Sequence, residues 1–492
     1  MNNILVLPLA LPVLVGILLI FFRSNIPLQR WVSFAVMVVN LGLSIYLLHE
    51  IHTEGILRLD FGGWKPPFGI SFVADSFSVL LVMTTSIVTA ICLLFAFSSM
   101  DRSHEKMFFY SFVNLLVAGV NGSFLTGDLF NLYVCFEVML LSSYVLLALG
   151  GRKVQLKEAI KYVVINVVSS WLFIVGIAYL YGMVGTLNLA QLSQRIAESG
   201  QPPLITVISI VFLTVFALKA GLLLYFWLPG SYAAPPIAIA ALFGALLTKV
   251  GIYAMFRMFT LVFYHQPVFT HTIIGVLAGL TLIGGSIGAV AYRDIRQIVV
   301  YNVIISVGFI LIGLAVATPE AMEGSIYYLI HDMIVKALLF LLAGVMITLT
   351  KTARMDQISG LIRNYPLLGW MFFIVMLSMA GIPPFSGFIG KVLVGQGAIE
   401  SGSYLLLALA FGSSILVLYS LLRVFLSCFW GETIIDEEEM ITTKKGWLIP
   451  CAILTITTIG LGLGAESIAT YVSEAANTLL NPDKYIDAVL ND

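Results

Sequence analysis

Runs of about 20 apolar residues follow one another along almost the whole chain, each long enough to cross a bilayer as a helix. That recurrence limits the fold more than any single motif does. A chain in lipid must satisfy every backbone N–H and C=O internally, and a helix does so within one segment. Of the 492 residues, 60% are hydrophobic and 10% charged, against about 25% charged in a soluble domain. The sequence predicts an all-α polytopic membrane protein, a single transmembrane domain over 1–492. Fourteen spans are read, at 4–22, 31–49, 72–98, 107–124, 129–149, 160–184, 204–228, 236–262, 270–292, 297–317, 325–350, 367–390, 403–429 and 447–470.

Other classes are excluded briefly. The net charge of −1 implies no nucleic-acid partner. The first run has no Lys or Arg before it, so it lacks the basic region of a signal peptide and reads as a retained first helix. Cys92, Cys135, Cys428 and Cys451 lie in apolar runs without metal-ligand or CxxC spacing and read as small core residues. No residue suggests a flavin, iron–sulfur or quinone site, so no cofactor, metal or catalytic centre is expected.

The links are short. Residues 50–71, with Gly62, Gly63, Pro66 and Pro67, read as a turn-rich surface piece. Residues 187–200 have apolar residues at helical spacing and read as a helix along the membrane interface. Residues 431–446, with Asp436 and Glu437–Glu439, are among the most acidic links. Links after odd-numbered spans carry fourteen Lys and Arg, against four in the even links and the tail. The positive-inside rule then makes the odd links cytoplasmic and places both termini outside.

Several charges fall inside spans. Arg257, Arg423 and Lys161 lie near span ends and can snorkel. Lys219 cannot. It sits near the middle of VISIVFLTVFALKAGLLLYFWLP, with Gly221, Pro229 and Gly230 following. A lysine at that depth costs roughly 2.5–3.5 kcal/mol on insertion scales and needs a partner or water. A charge beside a helix break is how transporters build midplane ion sites. Glu137, mid-span in FNLYVCFEVMLLSSYVLLAL, reads either as a protonated glutamate hydrogen-bonded to a neighbour or, more sharply, as the ion-pair partner of Lys219. Lys249 lies mid-span in ALFGALLTKVGIYAMF, and Lys336 mid-span in YYLIHDMIVKALLFLLAG. On that last helix Asp332 is four residues before Lys336 and can reach it, while His331–Asp332 also reads as a polar helix end.

Lys391 ends LSMAGIPPFSGFIGK, where Gly381, Pro383, Pro384 and Gly387 break the helix again. Spans 7 and 12 thus share a lysine beside a break, five spans apart. An odd offset means opposite directions through the membrane, the pattern of inverted repeats. Span 10, the counterpart of span 5, offers Asn302 and Ser306 but no carboxylate. The second half therefore lacks an obvious equivalent of Glu137, and His331, Asp332 or water must serve. Asp75 and Asp128 lie at span edges and read as helix caps rather than ion ligands. Asp294 reads as cytoplasmic surface.

Together these residues carry a family resemblance over nearly the whole chain. With Glu137, Lys219 and the Trp227-Leu228-Pro229 break, Lys249, AYRDIRQIVVYNVIISVGF, His331, Lys336 and GIPPFSGFIGK, the chain resembles the antiporter-like subunits shared by respiratory complex I and Mrp-type multisubunit sodium/proton antiporters. YFWLPGSYAAPP and ALFGALLTKVGIYA are similar to the Mrp branch. Complex I relatives usually have a histidine just before Trp-Leu-Pro; here Tyr225–Phe226 stand there, which leaves Tyr225 as a secondary candidate with Asp332 and Asp75.

The resemblance implies fourteen helices, with inverted repeats over 107–262 and 270–429. It implies a secondary transporter subunit rather than an enzyme, in a bacterial plasma membrane, moving protons through Glu137, Lys219, Lys249, His331, Lys336 and Lys391. Lysines carry protons but make poor sodium ligands, so this subunit is expected to carry the proton, and the sodium path is left open between it and the rest of the complex. Implied partners are the other subunits of the complex, among them a larger homologous A subunit and small membrane subunits. Two alternatives stand beside this: a proton-pumping membrane subunit of complex I or a membrane-bound hydrogenase, and a structural subunit with vestigial charges.

Overall fold

The computed structural model describes residues 2–200, 202–433 and 443–491. The acidic stretch with Asp436 and Glu437–Glu439 lies outside them. Among the described residues, 12 helices are long and apolar enough to cross a membrane, and Phe109–Leu125 and Pro366–Ala380 are shorter apolar helices. Every apolar segment read from the sequence falls on one of these fourteen helices.

The helices differ in what surrounds them. In the most apolar stretch of each, 94% of Ile237–Val262, 89% of Ile295–Val316 and 83% of Pro319–Thr350 is buried, against 28% of Asn3–Phe21. The first three are hydrophobic on all sides because protein surrounds them. Two of them also carry buried charged groups: Lys249 on the first, His331, Asp332 and Lys336 on the third. A charge deep in lipid is costly, so burying these helices in protein is what makes their charges tolerable.

Two helices break as the glycines and prolines predict. Pro203–Ala220 ends at Gly221 (φ +77°), and Leu228–Ala233 resumes after it with Pro229 in its first turn. The exposed backbone ends find partners inside the protein: Trp227 Nε1 donates to Leu218 O at 3.1 Å, and Leu223 N donates to Thr281 Oγ1 at 2.8 Å. Pro366–Ala380 ends at Gly381 (φ +82°), and Ser386–Glu400 follows. At both glycines the positive φ is one that an L side chain resists.

Two readings of the links and one of a span end need correction. The 50–71 link is more than turns: β1, Leu57–Asp60, pairs antiparallel with β2, Ser71–Ala74, which also takes the first residues assigned to the third span. The interfacial helix, Leu189–Ser199, lays its apolar face on protein rather than lipid. It packs against Pro482–Leu490 and Met258–Val262, and Ser193 Oγ donates to Leu261 O at 2.6 Å. Arg257 does not snorkel. It is 3% exposed and pairs with Asp75 at 2.7 Å, with the Tyr253 hydroxyl 3.1 Å away and the Tyr485 ring beneath it. Asp75 is a cap as well, accepting from Ser78 N at 2.9 Å. Asp128 and Asp294 also cap, on Leu129–Ala148 and Ile295–Val316.

Removing one partner of a buried ion pair leaves an uncompensated charge. Arg257→Ala is therefore expected to destabilise the fold by about 3–5 kcal/mol. Thermal unfolding of the purified protein, read by a probe near the C-terminal helices, checks this. Asp75→Asn should cost less, because an asparagine keeps the cap.

Candidate ion-transfer site

The charged side chains read from the sequence fall into three groups, and they assemble differently from the expected pairs.

The first group surrounds Glu137 on Leu129–Ala148. Glu137 does not touch Lys219 directly. Ser170, on Lys153–Val184, stands between: its hydroxyl donates to Glu137 Oε1, and Lys219 Nζ donates to Ser170 Oγ at 3.3 Å. The Lys219 ammonium also lies 5.1 Å from the centre of the Phe136 ring, which faces it with π density. Lys219 is the penultimate residue of Pro203–Ala220, at the negative end of the helix dipole. It is 4% exposed, whereas Glu137 is only half-buried. In place of the expected direct ion pair, a serine hydroxyl bridges the two groups. Ser170 gave no signal in the sequence, since a serine in an apolar helix usually bonds its own backbone.

The second group is the centre. Asp332 takes Lys249 Nζ on one oxygen at 2.8 Å and Lys336 Nζ on the other at 3.0 Å, and none of the three side chains is exposed. His331–Asp332 is therefore no polar helix end: both residues are 0% exposed inside Pro319–Thr350. Asp332, a secondary candidate from the sequence, pairs with Lys249 and Lys336 and not with Lys391, so among the described residues Lys391 has no ion-paired counterpart of Glu137. Lys249, expected to pass protons to His331 and Lys336, meets Asp332 first. Its placement depends on an irregularity. Phe243–Leu247 is a π-helical turn, which widens the ring and displaces carbonyls from regular pairing, often at functional sites. Lys249 Nζ donates to one of them, Gly244 O, at 2.8 Å. Gly244 is required there because a Cβ would overlap the Phe340 ring.

The third group lies at the second break. Lys391 Nζ reaches back across it and donates to Met379 O at 2.8 Å and Ala380 O at 2.9 Å, the free carbonyls that end the preceding half-helix. The Phe309 and Tyr328 rings flank the ammonium at 5.7 and 5.8 Å. Met379 joins this group to the centre, since Lys336 Nζ lies 3.2 Å from its sulfur. His331 Nδ1 shares a proton with Ser386 Oγ at 2.7 Å. Its Nε2 is buried without a partner among the described residues and faces Gly387, where a Cβ would come within 3.0 Å. Of the secondary candidates, Tyr225 sits half-buried beside the Tyr301 ring, 6.4 Å between centres, and Asp75 belongs to the Arg257 cluster.

The first and second groups are carried on helices in direct contact: a Cβ at Gly251 would sit 2.6 Å from Ala220 N, next to Lys219 in sequence. The groups therefore follow one another through the protein interior. With both lysines charged, the centre holds two positive groups and one negative one. In a low-dielectric interior one uncompensated charge is expensive, so the centre is suited to accept a proton briefly and pass it on.

Gly381 shows how tightly the third group is built. A Cβ there would fall 2.5 Å from Lys391 Cδ, on a residue already at φ +82°. Gly381→Ala is expected to push Lys391 off its two carbonyls. Backbone strain alone contributes roughly 1–3 kcal/mol. The variant should therefore melt at a lower temperature than the parent, while Gly412→Ala, where nothing lies within 4 Å, serves as the silent control in the same thermal unfolding measurement.

The family described as NADH:quinone oxidoreductase/Mrp antiporter, TM, matches residues 126–417. The chain is 52% identical over 493 residues to the D-type subunit of the Na(+)/H(+) antiporter of Bacillus subtilis (strain 168), covering 100% of both chains. It is 48% identical over 493 residues to the D-type subunit of the Na(+)/H(+) antiporter of Alkalihalophilus pseudofirmus, again over 100% of both. Its fold is similar to a chain of the Mrp complex from Dietzia sp. DQ12-45-1b, with a TM-score of 0.93, 30% identity and 100% of both chains covered. It is also similar to a chain of respiratory complex I from Thermus thermophilus, with a TM-score of 0.83 and 25% identity over 97% of this chain and 100% of that one. With more than half its length matched by the family and full-length relatives at this identity, the chain belongs to the NADH:quinone oxidoreductase/Mrp antiporter transmembrane family.

Proposed function

We propose that the chain is the D-type subunit of a multisubunit sodium/proton antiporter and carries its protons. The observation that carries the reading is the buried succession Glu137–Ser170–Lys219, Lys249–Asp332–Lys336 and Lys391, inside a fold shared with the Mrp complex chain. Full-length similarity to two proteins named as D-type members of a Na(+)/H(+) antiporter supports sodium as the exchanged ion. Fourteen spans, with inverted repeats over 107–262 and 270–429, fit the two broken helices, one carrying Lys219 in its last turn and the other receiving Lys391 on its end carbonyls. In this reading the subunit lies in a bacterial plasma membrane with both termini outside, beside a larger homologous A subunit and small membrane subunits.

Protons enter near Glu137, cross to Lys219 through the Ser170 hydroxyl, and reach Asp332 by way of Lys249. Lys336 and His331 pass them to Lys391, the outlet. Water bridges the steps where side chains do not meet. The redox-pump alternative is weaker: the complex I chain is 25% identical, the antiporter subunits 48% and 52%.

Everted membrane vesicles test the reading. Made from cells lacking other antiporters but holding the whole complex, they should lose a preformed pH gradient when sodium is added. Purified complex should hold no stoichiometric iron. Abundant iron with no response to sodium would favour the redox enzyme instead.

A further inference from the structure

A second buried polar file runs through the first, second and fourth spans, and the transfer chain does not use it. Pro12 lies inside Leu7–Phe21. It has no N–H, so the carbonyl four residues earlier, Pro8 O, loses its helical partner. Two side-chain amides replace it: Asn40 Nδ2 at 3.2 Å and Asn121 Nδ2 at 2.9 Å. Both nitrogens meet one oxygen, so the two amides are neighbours. Both residues are 0% exposed, and each keeps its own Oδ1 without a partner among the described residues.

Seven residues earlier on the same two helices the pattern repeats. Asn114 Nδ2 donates to Ser33 Oγ and to Tyr110 O, each at 2.8 Å. Asn114 Oδ1 and Ser111 Oγ are buried and unpartnered among the described residues. At the end of the file, fully buried Glu105 takes Arg30 at 2.8 and 2.9 Å and the Tyr110 hydroxyl at 2.5 Å. Its charge is thus balanced where the file begins, and between there and Pro8 every polar side chain named is neutral.

Buried amide oxygens are seldom left unpaired, and several in one file call for water or a ligand. Their chemistry favours one ligand. Neutral carbonyl oxygens replace the hydration shell of an alkali cation, and without a carboxylate they hold it loosely enough to let it leave. The lysine chain is the opposite environment, since its ammoniums repel a cation.

We propose that the side-chain oxygens of Asn40 and Asn121 form a binding site for a partly dehydrated sodium ion, reached from the Glu105 end past Ser111 and Asn114. The inference rests on the antiporter reading above and adds a sodium site to the same subunit. In that division, protons follow the lysines and sodium visits the asparagines.

The test uses the whole complex in everted vesicles. Asn40→Leu and Asn121→Leu remove the oxygens; Asn40→Ser and Asn121→Ser keep a hydroxyl that can still donate to Pro8 O. The half-saturating sodium concentration should rise about tenfold or more in the leucine variants and less in the serine variants. Preference for sodium over potassium should fall in both, with the pH dependence of exchange unchanged. If the leucine variants fail to assemble, the serine variants and sodium titration of purified complex by calorimetry decide. Assembled variants with parental half-saturation and parental ion preference would overturn the site and leave these oxygens to water alone. A change that merely follows complex abundance would also overturn it. A parental complex without sodium-dependent proton movement would instead remove the antiporter reading, and the site with it.

Discussion

Asp332→Asn is expected to abolish sodium-driven proton movement in vesicles containing the assembled complex. Among the described residues, Asp332 is the one carboxylate paired with Lys249 and Lys336, at 2.8 and 3.0 Å, with no solvent exposure on any of the three side chains. An asparagine fits the space but cannot balance either ammonium. Both lysines then lose the partner that tolerates their charge, and the centre cannot hold the extra proton it must pass on. Asp332→Glu keeps the charge with one more methylene in a packed site and should retain part of the activity. Stability separates from function in a third variant. Replacing a buried ion cluster by apolar residues of similar volume is often neutral or stabilising. Asp332→Leu combined with Lys249→Met and Lys336→Met should therefore assemble, resist heat at least as well as the parent, and transport nothing. Normal transport by that triple variant would end the role of the centre.

The second large effect belongs to Lys219. Lys219→Ala and Glu137→Ala should each reduce exchange to the background of vesicles without the complex, since each removes an end of the first relay. The bridge makes a finer prediction. The Ser170 hydroxyl bonds both Glu137 and the Lys219 ammonium, and a hydrogen bond to a charged group contributes about 1.5–3 kcal/mol. Ser170→Ala should then slow exchange by roughly tenfold to a hundredfold, while Ser170→Thr, which keeps the hydroxyl, should stay near the parent. A double-mutant cycle between Glu137→Gln and Lys219→Met, read by thermal unfolding of the assembled complex with and without Ser170→Ala, measures the coupling directly. Coupling that survives Ser170→Ala undiminished would mean that the two charges meet without the serine.

Much of the architecture was legible in the chain because lipid imposes simple rules. Apolar length sets the spans, and every apolar segment read from the sequence lies on a helix. Glycine and proline mark the breaks at Gly221 and Gly381, where positive φ ends each half-helix. Buried lysines stand out because charge is rare in such helices. Less legible was which groups meet. Glu137 and Lys219 were matched by opposite charge and shared depth, but those properties cannot reveal a serine from a third helix. Arg257 looked close enough to a span end to snorkel, yet the C-terminal helix with Tyr485 covers it and Asp75 pairs with it. The Leu189–Ser199 helix shows the same limit: its amphipathic spacing is real, but spacing does not say whether lipid or protein takes the apolar face.

By itself the sequence determined the membrane class, the approximate spans, the two breaks and the inventory of intramembrane charges, because each follows from local composition against a known solvent. Only the tertiary structure decided the partners. It made Asp332 the shared counter-ion of two lysines, aimed Lys249 with a π-turn onto Gly244 O, and folded Lys391 back onto the carbonyls of Met379 and Ala380. The reason is one of range: an ion pair is set over a few ångströms by side chains far apart in the chain, and helix packing alone brings Lys249 and Asp332 together.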